Sequence, residues 1–287
     1  MGTNAPELRY PSLPVVVTTV IDALAAHPAV TAITLGGSRA TARDDQASDQ
    51  DIEVFVDGEV PSALRRELAL RFDPDPEIDN SQFGPTDEWS DRASGVAIDI
   101  AYFERDWFEG TIRDVIERHH PELGYTTAFW HTLRHARPMF DRAGWLAEMQ
   151  TLAATPYPEA LRRNVVAWNH PVLRDVRSSW RHQIELAVMR DDPVSVNHRV
   201  AALLASVFDI VFALTRTLHP GEKRLLTHVA RLGDAVPPGF DAQVRALLCA
   251  AGNPEGNDML AAVDAVCNTV DAMIEQHGLR VAATRVG

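Results

Sequence analysis

Apolar and polar positions recur with two different periods along this chain, and the change of period outlines its parts. Over residues 14–27, Val16, Val20, Ile21 and Leu24 recur at helical spacing, and His27-Pro28 closes the run. Val30–Leu35 is a short apolar strand, and Ile52-Glu53-Val54-Phe55-Val56 is a second. Residues 61–72 return to the helical period through Leu64, Leu68 and Phe72, before the turn Asp73-Pro74-Asp75-Pro76. A strand over 77–83 and another over 96–103 follow. In the latter, Gly95, Ala97, Asp99 and Ala101 share one face, while Val96, Ile98, Ile100 and Tyr102 share the other. The apolar face predicts core; the small-residue face with one acid predicts room for a ligand.

Beyond residue 104 the pattern is helical. Helices are expected over 105–120 and 129–133, and over 139–149 after a break near Arg137-Pro138. Thr155-Pro156-Tyr157-Pro158 marks a joint. Residues 159–190 are helical apart from a break around His170-Pro171. The longest helix is expected over 198–218, where Val200, Leu203, Leu204, Val207, Val211, Leu214 and Leu218 form an apolar stripe, stopped by His219-Pro220-Gly221. Helices over 240–251 and 258–277 complete the chain. The expected fold class is α+β. A mixed sheet with flanking helices occupies residues 1–150, and a C-terminal helical bundle occupies 151–287.

Composition narrows the function. The chain is 46% hydrophobic and 23% charged, enough apolar material for a substantial core in one large or two modest domains. A net charge of −13 argues against extended nucleic-acid binding through bulk charge. It leaves room for a local basic face, for which Arg162, Arg163, Arg174, Arg177 and Arg181 are the candidates. Cys249 and Cys267 have neither metal-ligand spacing nor a disulfide framework, so a reducing cytoplasm is expected. Residues 1–13 lack the basic start and apolar core of a signal peptide. Residues 15–26 are too short to span a bilayer and are interrupted by Asp22, so no membrane partner is expected. Oligomeric state is not legible.

The candidate chemistry sits between the first two strands. Leu35-Gly36-Gly37-Ser38-Arg39-Ala40-Thr41 puts a glycine pair, two hydroxyls and a guanidinium where the chain turns. Backbone N–H groups at such a turn form an anion site, and glycine permits close approach. Asp49 and Asp51 follow two residues apart, so both carboxylates project to one face of a strand. Asp99 supplies a third acid. A phosphate cradle beside spaced carboxylates suits Mg²⁺ and phosphate chemistry. Glu53 shares the face of Asp51, either supporting the acids from behind or standing at a solvated edge. Asp87 and Glu88 precede the Asp99 strand, either at the rim of the site or in a loop ion pair. His119-His120 is no metal pair, since adjacent helical residues point apart.

Gly-Gly-Ser-Arg, then Ser48-Asp49-Gln50-Asp51-Ile52, then a strand with the lone Asp99, resembles the minimal nucleotidyltransferase signature of the polymerase-beta superfamily, which includes aminoglycoside and lincosamide nucleotidyltransferases. The likeness covers residues 30–103. A weaker one, through Phe212-Ala213-Leu214-Thr215-Arg216 and His219-Pro220-Gly221-Glu222-Lys223, is to a bacterial subgroup with a helical C-terminal domain. The resemblance implies Mg²⁺-dependent transfer of a nucleoside monophosphate from a nucleoside triphosphate, ATP among the candidates, to an acceptor hydroxyl. Asp49, Asp51 and Asp99 would be catalytic and would bind two Mg²⁺ ions. Gly36, Gly37 and Ser38 would hold the phosphates, and Arg39 would pair with phosphate or with an acid fixing the turn. Apart from the resemblance, Lys223, just past the helix stop, either reaches the triphosphate or stands in solvent. Glu88, Glu104 and Glu185 are all open as general base. The expected acceptor is a small molecule, antibiotic-like or biosynthetic. Protein or tRNA as acceptor, or a catalytically silent nucleotide-binding protein, are the alternatives.

Overall fold

The structure, a computed structural model, describes residues 13–36, 50–82, 84–252 and 258–279. The chain divides into two compact units. The first runs to Ile112 and takes back Thr132–Ala154; the second holds Arg113–His131 and the chain from Thr155 onward. The chain thus enters the second unit twice, first over Arg113–His131 and again from Thr155.

The first unit is built on a six-stranded sheet. Its strands are β1 (Val30–Leu35), β2 (Gln50–Val56), β3 (Glu77–Asn80), β4 (Thr86–Ser90), β5 (Ala97–Glu104) and β6 (Arg137–Asp141), in the order β3-β4-β5-β2-β1-β6. The central pair β2–β5 is parallel and every other pair is antiparallel. Two helices cover one face: α1 (Val15–Ala25) and α2 (Ser62–Ala69). Val17, Val20 and Leu24 of α1 and Leu68 of α2 are buried in one cluster with Ile52, Val54, Ile98 and Ile100. The alternation read in β5 is therefore real: its branched apolar residues make the core.

Among the described residues of the first unit, aromatic side chains cover one end of the opposite face. Phe55 of β2 lies 4.8 Å from Phe108 of α3 (Arg105–Ile116) and 5.1 Å from Trp145 of α5 (Trp145–Ala153), ring centre to ring centre. These aromatic contacts close the sheet near the C-terminal ends of β2 and β5. The other end of that face, where Asp51 and Asp99 lie, is only partly buried.

Two expectations in this unit change. Residues 139–149 were expected to be helical, but Arg137–Asp141 is a strand hydrogen-bonded to β1, and the helix α5 begins only at Trp145. A free sheet edge claimed the segment, which local periodicity does not record. Thr86–Ser90 is also a strand, although its sequence is mostly polar. Its inward position, Asp87, is neutralised by Arg65, which donates to it over 2.6 Å.

The second unit is a helical bundle around α8 (Pro193–Leu214), with α6 (Glu159–Arg174), α7 (Trp180–Met189), α9 (Leu225–Ala230), α10 (Phe240–Gly252) and α11 (Asp258–Gln276); α4 (Ala128–His135) straddles the division between units. Asp192 caps α8 by accepting from the Ser195 amide over 3.0 Å, and Pro193 fills the first turn. The predicted stripe on α8 becomes burial on every side over Ser206–Leu214. This helix is long and apolar enough to cross a membrane, but most of it is buried in the bundle. The break expected at His170-Pro171 is absent, because α6 runs on to Arg174. Pro171 sits within the last turn, where it removes one N–H bond but leaves only three helical residues beyond it.

Four of the five arginines offered as a basic face are paired within the unit. Arg162 and Arg163 bond Glu159, Arg174 bonds Asp271, and Arg181 clasps Asp264 over 2.8 and 3.1 Å.

Asp209 lies inside the bundle, where its carboxylate accepts from the Thr126 amide at 3.1 Å, the Thr126 hydroxyl at 2.6 Å and Asn169 Nδ2 at 3.3 Å. Burial nevertheless pushes its pKa up to about 7, against those hydrogen bonds. The folded state thus binds this proton more tightly than the unfolded chain. Its contribution is full below the usual carboxylate range and is lost as pH rises toward 7. Thermal unfolding of Asp209→Asn from pH 4 to 8 should lack the part of the decline that Asp209 contributes. A wild-type profile indistinguishable from the mutant's would refute the assignment.

Candidate active site

β1 leads into the site. Its ladder to β2 extends one residue beyond the strand, with the Gly36 amide donating to the Asp51 carbonyl over 2.9 Å. Asp51 then stands beside Asp99 in the parallel β2–β5 register. Glu88 stands opposite Asp99 across β4–β5, and Glu77 opposite Glu88 across β3–β4. Residues directly paired across strands share a face, so a row of carboxyl groups crosses four neighbouring strands. Asp51 and Asp99 are partly buried; Glu88 and Glu77 are exposed. Ala97 and Ala101 flank Asp99 on this face.

Glu53 lies one step further along the same face, opposite Thr34 of β1 and Ala101 of β5. Thr34 Oγ1 donates to Glu53 Oε2 over 2.5 Å. Burial raises the Glu53 pKa, the Thr34 bond opposes that, and the neighbouring Asp51 charge adds to it. Glu53 is therefore no solvated edge residue.

The structure brings Gly36, Asp51 and Asp99 together. Gly37, Ser38, Arg39 and Asp49 lie outside the described residues. Lys223 is in an exposed turn ahead of α9 in the second unit. Among the described residues no group of three or more His, Cys, Asp or Glu is arranged to hold a metal ion; the proposed set includes Asp49, which is not among them. Asp51 and Asp99 are hard oxygen donors on adjacent strands, a donor pair that fits Mg²⁺.

The three glutamates left open as base now differ. Glu104 caps α3, accepting from the amides of Asp106 at 3.3 Å and Trp107 at 2.6 Å. Glu185 is in the second unit, 3.4 Å from Arg181. Glu88 alone stands in the row with Asp99. Asp87, its neighbour, points to the other face and is buried in its ion pair with Arg65. The alignment of Glu88 and Glu77 with the predicted acids was not visible in the sequence, because it depends on the β3–β4–β5 register. The alternation of Thr86-Asp87-Glu88-Trp89 was the available signal.

No protein-family model matches the chain, and no curated protein matches it. Among solved structures, it is similar to a nucleotidyltransferase-like protein from Exiguobacterium sibiricum, at 14% identity and a TM-score of 0.44, covering 91% of this chain and 74% of that one. A likeness at that level assigns no role to any residue.

Proposed function

We propose that this chain transfers a nucleoside monophosphate from a nucleoside triphosphate to a hydroxyl of a small molecule, releasing pyrophosphate. The observation that carries the reading is the side-by-side placement of Asp51 and Asp99 on one face of the sheet, with Asp51 next to the glycine that begins the predicted phosphate turn. Asp49, Asp51 and Asp99 would hold Mg²⁺, which when bound offsets charge on the phosphoryl oxygens and the leaving group. Gly36, Gly37 and Ser38 cradle the phosphates through backbone and hydroxyl donors, with Arg39 beside them. Glu88 accepts the proton of the acceptor hydroxyl, whose oxygen bonds to the α-phosphorus as the bond to pyrophosphate breaks. The pairing of Arg162, Arg163, Arg174 and Arg181 with acids favours a small acceptor over tRNA, since it removes most of the candidate basic face.

The test is incubation of the purified chain with triphosphates labelled at the α-phosphate, with and without Mg²⁺. The acceptors are aminoglycosides, lincosamides, nucleosides, protein and tRNA. Label on a small hydroxyl compound, dependent on Mg²⁺, is the expected result. Label on protein or tRNA alone would replace the acceptor class. Nucleotide binding with no transfer to any acceptor would favour the silent reading.

A further inference from the structure

Gly36 is a glycine for want of space. Its φ lies outside the left-handed region, so backbone strain does not demand glycine there. A Cβ at residue 36 would instead stand 2.8 Å from Glu53 Oε1 and 3.8 Å from the Asp51 Cβ. Contact with the end of a side chain is usually relieved by moving that side chain. Glu53 is poorly able to move, because its other oxygen holds the 2.5 Å bond from Thr34, whose side chain is buried within the sheet. One carboxyl group therefore touches the strand end where the phosphate turn begins, and stands two residues along the same strand face from Asp51.

We propose that Glu53 is a positioning residue, which wedges the backbone at Gly36 and holds Asp51 in the geometry that nucleotide binding requires. The proposal rests on the nucleotidyl-transfer reading of this site. Glu53 touches no reacting atom; it acts through Gly36 and Asp51. Thr34 fixes the wedge, and the small Ala101 on β5 leaves room for it. Displacements of the order of 1 Å at such a site cost binding and turnover out of proportion to their size.

The test uses the full chain, with thermal unfolding and the affinity for a fluorescent ATP analogue in Mg²⁺ as separate readouts. Gly36→Ala should lower the melting temperature, and Gly36→Ala/Glu53→Ala should recover most of that loss, because the added methyl then enters the vacated space. Glu53→Ala should weaken nucleotide binding on the order of tenfold at temperatures where it remains folded. Glu53→Gln, which keeps the shape and still accepts from Thr34, should bind near the wild-type level. A merely structural carboxyl would lower the melting temperature in Glu53→Ala and leave affinity unchanged, which would overturn the proposal. Additive melting losses in the double variant, with nucleotide binding intact in the wild type, would also overturn it and leave the transfer reading standing. A wild type that binds no nucleotide, with the Gly36–Glu53 coupling present, would overturn the transfer reading and the role assigned to Glu53 within it.

Discussion

Asp51→Asn is expected to reduce nucleotidyl transfer by roughly a thousandfold, about 4 kcal/mol of barrier, through lost stabilisation of charge on the transferring phosphoryl group. The carboxylate and the amide have nearly the same volume, so packing on that sheet face is preserved. The change also removes one of two like charges paired directly across β2–β5, and such juxtaposition is unfavourable in a sheet. The variant should remain folded, with a far-UV circular dichroism spectrum like that of the wild type. Mg²⁺-dependent nucleotide affinity should fall at the same time. Asp99→Asn should behave alike. Turnover equal to wild type in either purified variant would remove these two residues from the chemistry and leave the sheet as a scaffold without the proposed site.

Asp87→Ala should destabilise the first unit by about 3–5 kcal/mol, the usual cost of leaving one member of a buried ion pair without its partner. Arg65 and Asp87 are 6% and 1% exposed in their side chains, so solvent screens the pair little. Asp87 is also the acceptor for Tyr102 Oη at 2.9 Å and for the Asp79 amide at 2.9 Å. Removal thus strands three donors at once. Asp79 adds a second contact to Arg65, at 2.7 Å, but is 58% exposed and cannot replace the buried partner. Burial works against the Arg65 charge, and the hydrogen bond to Asp79 with the charge of Asp87 outweighs it. A loss of that size approaches the whole stability of a typical domain. Urea unfolding followed by circular dichroism measures it, and a change below about 1 kcal/mol would show that the network is dispensable. Because β4 also carries Glu88, this variant should lose the acid row along with the strand.

The sequence legible by period alone gave the apolar core strands and most of the helices. Residues 96–103 showed an apolar face and a small-residue face, and the fold uses them that way, because a half-covered strand must alternate. The long apolar helix over α8 was equally plain, although the stripe underestimated its burial. A stripe reports one packed face; the bundle covers α8 from several sides over Ser206–Leu214. The strand β4 was hidden because its inward acid contradicts a hydrophobic pattern. Arg65, 22 residues earlier in the chain, together with the Asp79 amide and the Tyr102 hydroxyl, makes that acid tolerable. The strand β6 was hidden because pairing with β1, from over a hundred residues earlier, decided its conformation.

The candidate site divides along the same line. The order of glycine turn, spaced acids and lone strand acid was written in the chain, because local spacing sets which side chains share a strand face. That Asp51 and Asp99 stand side by side was settled by the parallel register of two strands far apart in sequence. The β4–β5 pairing puts Glu88, one of three glutamates that looked equivalent, beside Asp99, and the antiparallel β1–β2 pairing puts Glu53 against Gly36. Residue type and local period determine what a segment can be. Which acids become neighbours depends on strand pairing, and pairing is fixed only when the whole sheet buries its apolar face.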